Sequence, residues 1–334
     1  MTADHAAESA IVLTKVVKRY GSTTALAGLN LEVRRGEMFG LIGPDGAGKT
    51  TAIRLICGLL HADEGELRVL GLDPVRAHRA LTERVGYLSQ RFSLYGDLTI
   101  DENIAFFAEV HGVRDYRRRR DQLLSMTQLT PFRARLADRL SGGMKQKLAL
   151  ACTLVHEPDL ILLDEPTTGV DPISRREFWK LLSEFLANGI TILMSTPYLD
   201  EAERCTRVAL VHEGRVLAAD EPAALRALIP GRMLEVVAHG TAAADASAAA
   251  DVLRALPGVR DAQVFGERIH ITLDEQSGDG EERFMAALRA TPFAAVPVRQ
   301  VPPSLEDVFI AQLSGGPPSP LGGIGEASRE KPGA

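Results

Sequence analysis

The sequence predicts a mixed α/β protein made of a large domain followed by a smaller α+β domain, and three stretches carry that prediction. Residues 39–57 read as a short apolar strand, a glycine turn and a helix. Leu160-Ile161-Leu162-Leu163 is an unbroken apolar run, as expected of a central parallel strand buried on both faces. Residues 233–301 carry strand and helix patterns in the order β-α-β-β-α-β, the split βαβ or ferredoxin-like arrangement.

The chain has 334 residues, enough for both cores. A net charge of −6 and a pI near 5.8 argue against nucleic-acid binding by bulk charge. Cys57, Cys152 and Cys205 lie far apart, without metal-ligand spacing, and fit small core residues in a reducing compartment. Residues 1–10 carry acidic side chains and lack the apolar core of a secretory signal. No run approaches the ~18 apolar residues of a bilayer span, so any membrane role is expected to come through a partner.

The elements follow in order. Residues 11–17 and 29–33 alternate as strands, and Arg35-Gly36-Glu37 turns the chain into the next one. Tyr20, at the first strand's end, fits either a stacking face for an adenine or an aromatic that closes the strand. That next strand runs into Gly43-Pro44-Asp45-Gly46-Ala47-Gly48-Lys49-Thr50-Thr51, a complete Walker A phosphate loop in strand–loop–helix context. Its glycines let successive N–H groups turn toward a phosphate chain, and the helix aims its positive end at the same place. Lys49 is then placed for β- and γ-phosphate oxygens and the Thr50 hydroxyl for Mg²⁺. Asp45 should point outward, since a carboxylate near phosphates is unfavourable.

Residues 65–69 and 84–88 read as further strands. From about residue 93 to 139 the texture becomes helical and charged, a helical insertion. Thr99-Ile100-Asp101-Glu102 caps a helix to Val110, and Asp115 starts a second one whose arginines 117–120 read as a solvated face. Strands resume at 160–163 and 190–194, and residues 208–217 form a closing hairpin. The first domain is expected to span 1–230, the second 231–312, and the Gly/Pro-rich tail 313–334 to be disordered.

Asp164 and Glu165 end the buried strand in a Walker B arrangement: the first carboxylate suits Mg²⁺, the second an attacking water. Alone, two acids there would also suit a loop start. Leu140-Ser141-Gly142-Gly143-Met144-Lys145-Gln146 offers a hydroxyl and free N–H groups at a helix start, which taken alone is an N-cap. In this order, over residues 10–228, the motifs resemble an ABC-type ATPase domain, a P-loop NTPase, with Ser141, Gly142 and Gly143 in its signature.

The resemblance implies that Tyr20 is the adenine-stacking aromatic, Gln90 the Q-loop glutamine near the metal, and Gly169-Val170-Asp171 the D-loop. It also implies ATP and Mg²⁺ as cofactors, with two ATPase protomers, identical or different, paired head to tail so that each nucleotide meets the opposing signature. Pro303-Ser304-Leu305-Glu306-Asp307-Val308-Phe309 resembles the C-terminal region of ABC-2-type, drug-resistance-like export ATPases; on its own it reads as an amphipathic helix packing Leu305, Val308 and Phe309. These likenesses imply an ATP-hydrolysing subunit bound to a transmembrane permease at the cytoplasmic face, with no nucleic-acid partner. A soluble ABC ATPase acting on ribosome or DNA is the alternative, disfavoured by the single phosphate loop, the lack of sustained heptads and the acidic charge. One departure stands out. Where the family's switch histidine would follow Met194-Ser195-Thr196, this chain has Pro197, which offers neither a ring nitrogen nor an N–H. That raises a third reading, a nucleotide-gated clamp with little turnover.

Overall fold

The computed structural model describes residues 9–90, 94–237, 243–274, 280–290 and 297–313. The chain forms two compact units, one ending at Pro222 and the other beginning at Ala223, upstream of the turn at Pro230-Gly231 where the sequence suggested a boundary.

In the first unit β1 (Ser9–Tyr20) and β2 (Thr23–Arg34) pair antiparallel. The chain continues through β3 (Met38–Ile42) and α1 (Lys49–Ile56), and β4 (Glu64–Val69) then completes a three-stranded sheet in the order β2-β1-β4. After α2 (His78–Thr82) and β5 (Val85–Leu88) comes the helical insertion, with α3 (Ile100–Val110) and α4 (Arg117–Met126). The Thr99 cap is present as a reciprocal capping box: the Glu102 N–H donates to Thr99 Oγ1 at 3.2 Å and the Thr99 N–H to Glu102 Oε2 at 2.7 Å.

The expected start of the second helix needs correction. Asp115 lies in a turn, the N-cap position belongs to Tyr116 without a side-chain cap, and the helix begins at Arg117. The arginine run is also only partly a solvated face. Arg117 and Arg118 are exposed, whereas Arg119 reaches Glu157 at 3.5 Å and Arg120 reaches Asp101 at 3.5 Å and Asp121 at 3.2 Å.

The chain returns to the body through α5 (Gly142–Leu154), β6 (Leu160–Asp164), α6 (Pro172–Ala187), β7 (Thr191–Thr196), α7 (Leu199–Ala202), β8 (Arg207–His212) and β9 (Arg215–Asp220). These strands form a six-stranded sheet in the order β5-β6-β7-β3-β8-β9, parallel except for the edge strand β9. The β8–β9 turn is Glu213-Gly214, both with positive φ, which matches the right-handed twist of a tight hairpin. β3, β6 and β7 are buried at every position, as central strands of a parallel sheet covered on both faces must be. Their carboxyl ends lie side by side: Ile42 is in register with Thr196, and Asp164 with Ser195. The three cysteines are buried and unbridged, and burial holds their thiols protonated, that of Cys205 pushed up to about 12.

Helix α8 (Pro222–Arg226) leads into the second unit. There β10 (Met233–Val237), α9 (Ala243–Arg254), β11 (Val259–Phe265), β12 (Arg268–Leu273), α10 (Gly280–Leu288) and β13 (Val298–Gln300) realise the expected β-α-β-β-α-β order. The sheet order β11-β12-β10-β13, antiparallel throughout, is the ferredoxin-like one. Val236, Leu253, Ile269, Ile271 and Phe284 fill its core. α9 opens at Ala243 in an alanine-rich stretch, where alanine favours helix without marking a face. Helix α11 (Leu305–Leu313) buries Leu305 and Val308 and half-buries Phe309. Ser304 caps it: the Asp307 N–H donates to Ser304 Oγ at 3.2 Å and the Ser304 N–H to Asp307 Oδ2 at 2.7 Å. Residues 314–334, where the sequence suggested disorder, lie outside the described residues.

Candidate functional site

The phosphate loop leaves the carboxyl end of β3 at the middle of the six-stranded sheet, the edge where ligands of parallel α/β sheets bind. Gly48 has φ 102°, and a Cβ there would come within 2.5 Å of the Ala25 carbonyl oxygen, so only glycine fits. At Gly43 a Cβ would meet the Val211 carbonyl at 2.2 Å. Pro44, Asp45 and Gly46 are exposed, which puts Asp45 on the outside as expected. Ala47 is buried in the sheet core, while Thr51 is half-buried on the first turn of α1.

Lys49 is buried, and its Nζ donates to the Gly43 carbonyl at 2.8 Å and the Pro44 carbonyl at 3.0 Å and pairs with Glu165 Oε1 at 3.2 Å. Thr50 Oγ1 donates to Asp164 Oδ1 at 3.1 Å. The two motifs, 114 residues apart, thus meet at one carboxylate oxygen. Gln90 joins from the end of β5, where its Nε2 donates to Glu165 Oε2 at 3.0 Å. Glu165 has φ 48°, a backbone strain of the kind that collects at functional sites.

Ser195 was not singled out by sequence reasoning, yet it binds the centre together. Its Oγ donates to Asp164 Oδ1 at 2.7 Å and accepts the Glu165 N–H at 3.0 Å. The signal was a hydroxyl pair, Ser195-Thr196, following the apolar run Ile192-Leu193-Met194 at the carboxyl end of a strand. Equally unforeseen is Glu201, 1% exposed, which accepts from Thr167 Oγ1 at 2.6 Å and from Thr196 Oγ1 at 2.7 Å.

Four expected residues, Ser141, Gly142, Gly143 and Tyr20, stand apart from this centre within the single chain. Ser141 caps α5, accepting the Met144 N–H at 3.3 Å; Ser141 and Gly142 are exposed, and Gly143 packs against Ser174 of α6. Tyr20 is 46% exposed, with Lys18 Nζ 5.7 Å from its ring centre, which suits a stacking face and equally a strand end. Gln146 is buried and donates from Nε2 to the Pro166 carbonyl, linking the signature helix to the loop after Glu165.

The residues fit the expected ligands. The exposed loop crest beside a buried lysine and a helix start suits a polyphosphate. The Thr50 hydroxyl and Asp164 carboxylate form a hard-oxygen donor set suited to Mg²⁺, which keeps several waters and phosphate oxygens as its other ligands.

A strand–loop–helix cradle, an aspartate ending a strand one removed in the same parallel sheet, a largely helical insertion and the Ser141-Gly142-Gly143 turn that follows it are together the pattern of the ABC type of phosphate-loop ATPase domain. The ABC transporter family model matches residues 26–168. The chain is 41% identical over 323 residues to the probable multidrug ABC transporter ATP-binding protein YbhF of Escherichia coli, across 95% of this chain and 54% of that protein. It is 35% identical to the daunorubicin resistance ATP-binding protein DrrA3 of Streptomyces coeruleorubidus, across 91% of this chain and 96% of that one. Among solved structures, cbiO1 from Clostridium perfringens, part of the ABC transporter complex cbiONQ, superposes with TM-score 0.62 at 29% identity, covering 66% of this chain and 91% of that one. A dimeric bacterial ABC transporter cassette gives 0.57 at 27% identity, covering 63% and 98%. The chain belongs to the ABC transporter family, and its first unit is an ABC ATPase domain. It spans about half the length of the E. coli relative.

Proposed function

We propose that this chain binds and hydrolyses Mg-ATP to drive a membrane exporter. The observation that carries this reading is the convergence of Thr50 and Ser195 on Asp164 Oδ1, with Glu165 held between Lys49 and Gln90 beside them. Loop N–H groups and Lys49 bind and orient the phosphates, with Tyr20 stacking on the adenine. Thr50, Asp164 and Gln90 would hold the metal, which when bound would supply charge neutralisation on the transferred phosphoryl group. Glu165 takes the proton of the attacking water, and Gln90 steers its carboxylate. The signature turn of a second protomer, identical or different, with Ser141 and Gly142 exposed, completes the site from across an interface. Closure around ATP then moves a transmembrane permease at the cytoplasmic face through the helical insertion. The relatives' names, multidrug and daunorubicin resistance, support an exporter of small molecules.

Glu165→Gln should keep Mg-ATP binding and lower turnover by roughly 10²-fold or more. Lys49→Ala should lose nucleotide binding. An unchanged rate in the first variant, or normal binding in the second, overturns the assignment. Pro197 favours one further reading, a clamp that closes on ATP and scarcely turns over; ATP-dependent dimerisation without single-turnover hydrolysis would select it.

A further inference from the structure

Glu201 on α7 is buried beside the candidate site without touching its carboxylates, and both its oxygens are engaged. Oε1 accepts from Thr167, in the loop between Glu165 and the D-loop, and lies 3.6 Å from Arg175 Nε on α6. Oε2 accepts from Thr196, the last residue of β7. Thr196 Oγ1 in turn accepts the Tyr198 N–H at 3.0 Å, spanning Pro197. The Arg175 guanidinium stands 4.9 Å from the centre of the Tyr198 ring, and the Arg175 main-chain N–H donates to the carbonyl of Asp171, the N-cap of α6. One buried carboxylate therefore joins three segments: the loop after β6, the end of β7 and the first turn of α6. A buried carboxylate persists only when its oxygens are hydrogen-bonded, and removing it would leave the Thr167 and Thr196 hydroxyls without their acceptors.

We infer that Glu201 is a positioning residue that makes the D-loop and the Pro197 segment move as one. The inference rests on the ATPase reading proposed above. Asp171 caps α6 at the exposed D-loop turn, where Ile173 is 74% exposed. A partner pressing there shifts Arg175 and Thr167, and through Glu201 the strand end bearing Thr196 and its neighbour Ser195. Ser195 holds both Asp164 and the Glu165 N–H. With proline at position 197, no imidazole helps to hold this segment, so its position depends on the carboxylate.

The test compares Glu201→Ala, Glu201→Gln and Thr167→Val in the full chain, by steady-state hydrolysis and by amide hydrogen exchange without nucleotide. Glu201→Ala should lower kcat roughly 10- to 100-fold with the ATP half-saturation within about twofold of wild type. Exchange should quicken together at residues 168–171 and at Tyr198, while α1 is unchanged. Glu201→Gln, which still accepts from one threonine, should recover most of kcat. Thr167→Val removes a single donor and should move both loops to a smaller extent. Unchanged kcat, a half-saturation that worsens as much as kcat, or exchange confined to one loop overturns the inference. A wild type that shows coupled exchange without hydrolysis would uphold the tie and overturn the ATPase reading instead.

Discussion

Ser195→Ala is the sharpest probe of the centre. The side chain is fully buried and its hydroxyl gives Asp164 a 2.7 Å hydrogen bond, on the oxygen that also accepts from Thr50. A hydrogen bond to a charged group contributes about 1.5–3 kcal/mol. The alanine leaves no orphaned amide, because the Glu165 N–H keeps the Ser195 main-chain oxygen at 3.1 Å. The loss therefore falls on the orientation of Asp164. At ~1.4 kcal/mol per decade, the Mg²⁺ concentration for half-maximal hydrolysis should rise roughly 10- to 100-fold, with nucleotide affinity in chelator little changed. Thermal unfolding should move down by roughly 3–12 °C, at ~2–4 °C per kcal/mol for a unit of this size. Thr50→Val should act on the same oxygen, so the double variant should cost less than the sum of the singles. A magnesium dependence within twofold of wild type would refute the claim that Ser195 orients the metal-binding carboxylate.

Pro197→His should raise kcat by roughly 10-fold or more if that position faces the γ-phosphate; an unchanged rate in single-turnover assays would show a site built without an imidazole. His156 lies with its ring 3.8 Å from and parallel to that of His111, and burial first, then His111, pushes it down to about 4. The folded state thus binds fewer protons than the unfolded one. Stability should be intact above pH ~6.5 and fall as pH drops toward 4, by on the order of 2 kcal/mol after allowing for partial exposure; His156→Gln should flatten that slope in denaturant titrations. His270 behaves oppositely: its hydrogen bond to Asp307 at 2.7 Å, and then the charges of Asp307 and Glu235, raise its pKa. Its contribution is present below the unfolded value near 6.5 and is lost as pH rises through the folded one. Hydrogen exchange in α11 should therefore show weaker protection at pH 8.5 than at pH 6, after correction for intrinsic rates, and His270→Asn should remove the difference.

Much of the site was legible because its chemistry depends on local backbone geometry. Glycines at 43, 46 and 48 followed by Lys49 and Thr50 specify a loop whose amides and helix start must converge, whatever surrounds them. Asp164 and Glu165 were readable because an apolar strand ending in two acids is unusual. The Asp115 start was misread because a short polar side chain two residues upstream of a helix is no cap unless the turn brings it back to the first free N–H groups. Ser195 and Glu201 were missed for another reason. A serine ending a strand and a glutamate in a charged helix are ordinary in one dimension, and their roles come from partners 31 and 34 residues away.

By itself, the sequence determined the two α/β architectures, the phosphate loop, the acid pair, the signature turn and the substitution at Pro197, since each is written in neighbouring residues and in apolar period. Only the tertiary structure decided which oxygens meet. The parallel order β6-β7-β3 sets three strand ends side by side, so that Asp164, Ser195 and Thr50 share one oxygen and Glu165 lies between Lys49 and Gln90. Side-chain hydrogen bonds act over about 3 Å, and distances that short between residues far apart in the chain are a property of the packed sheet.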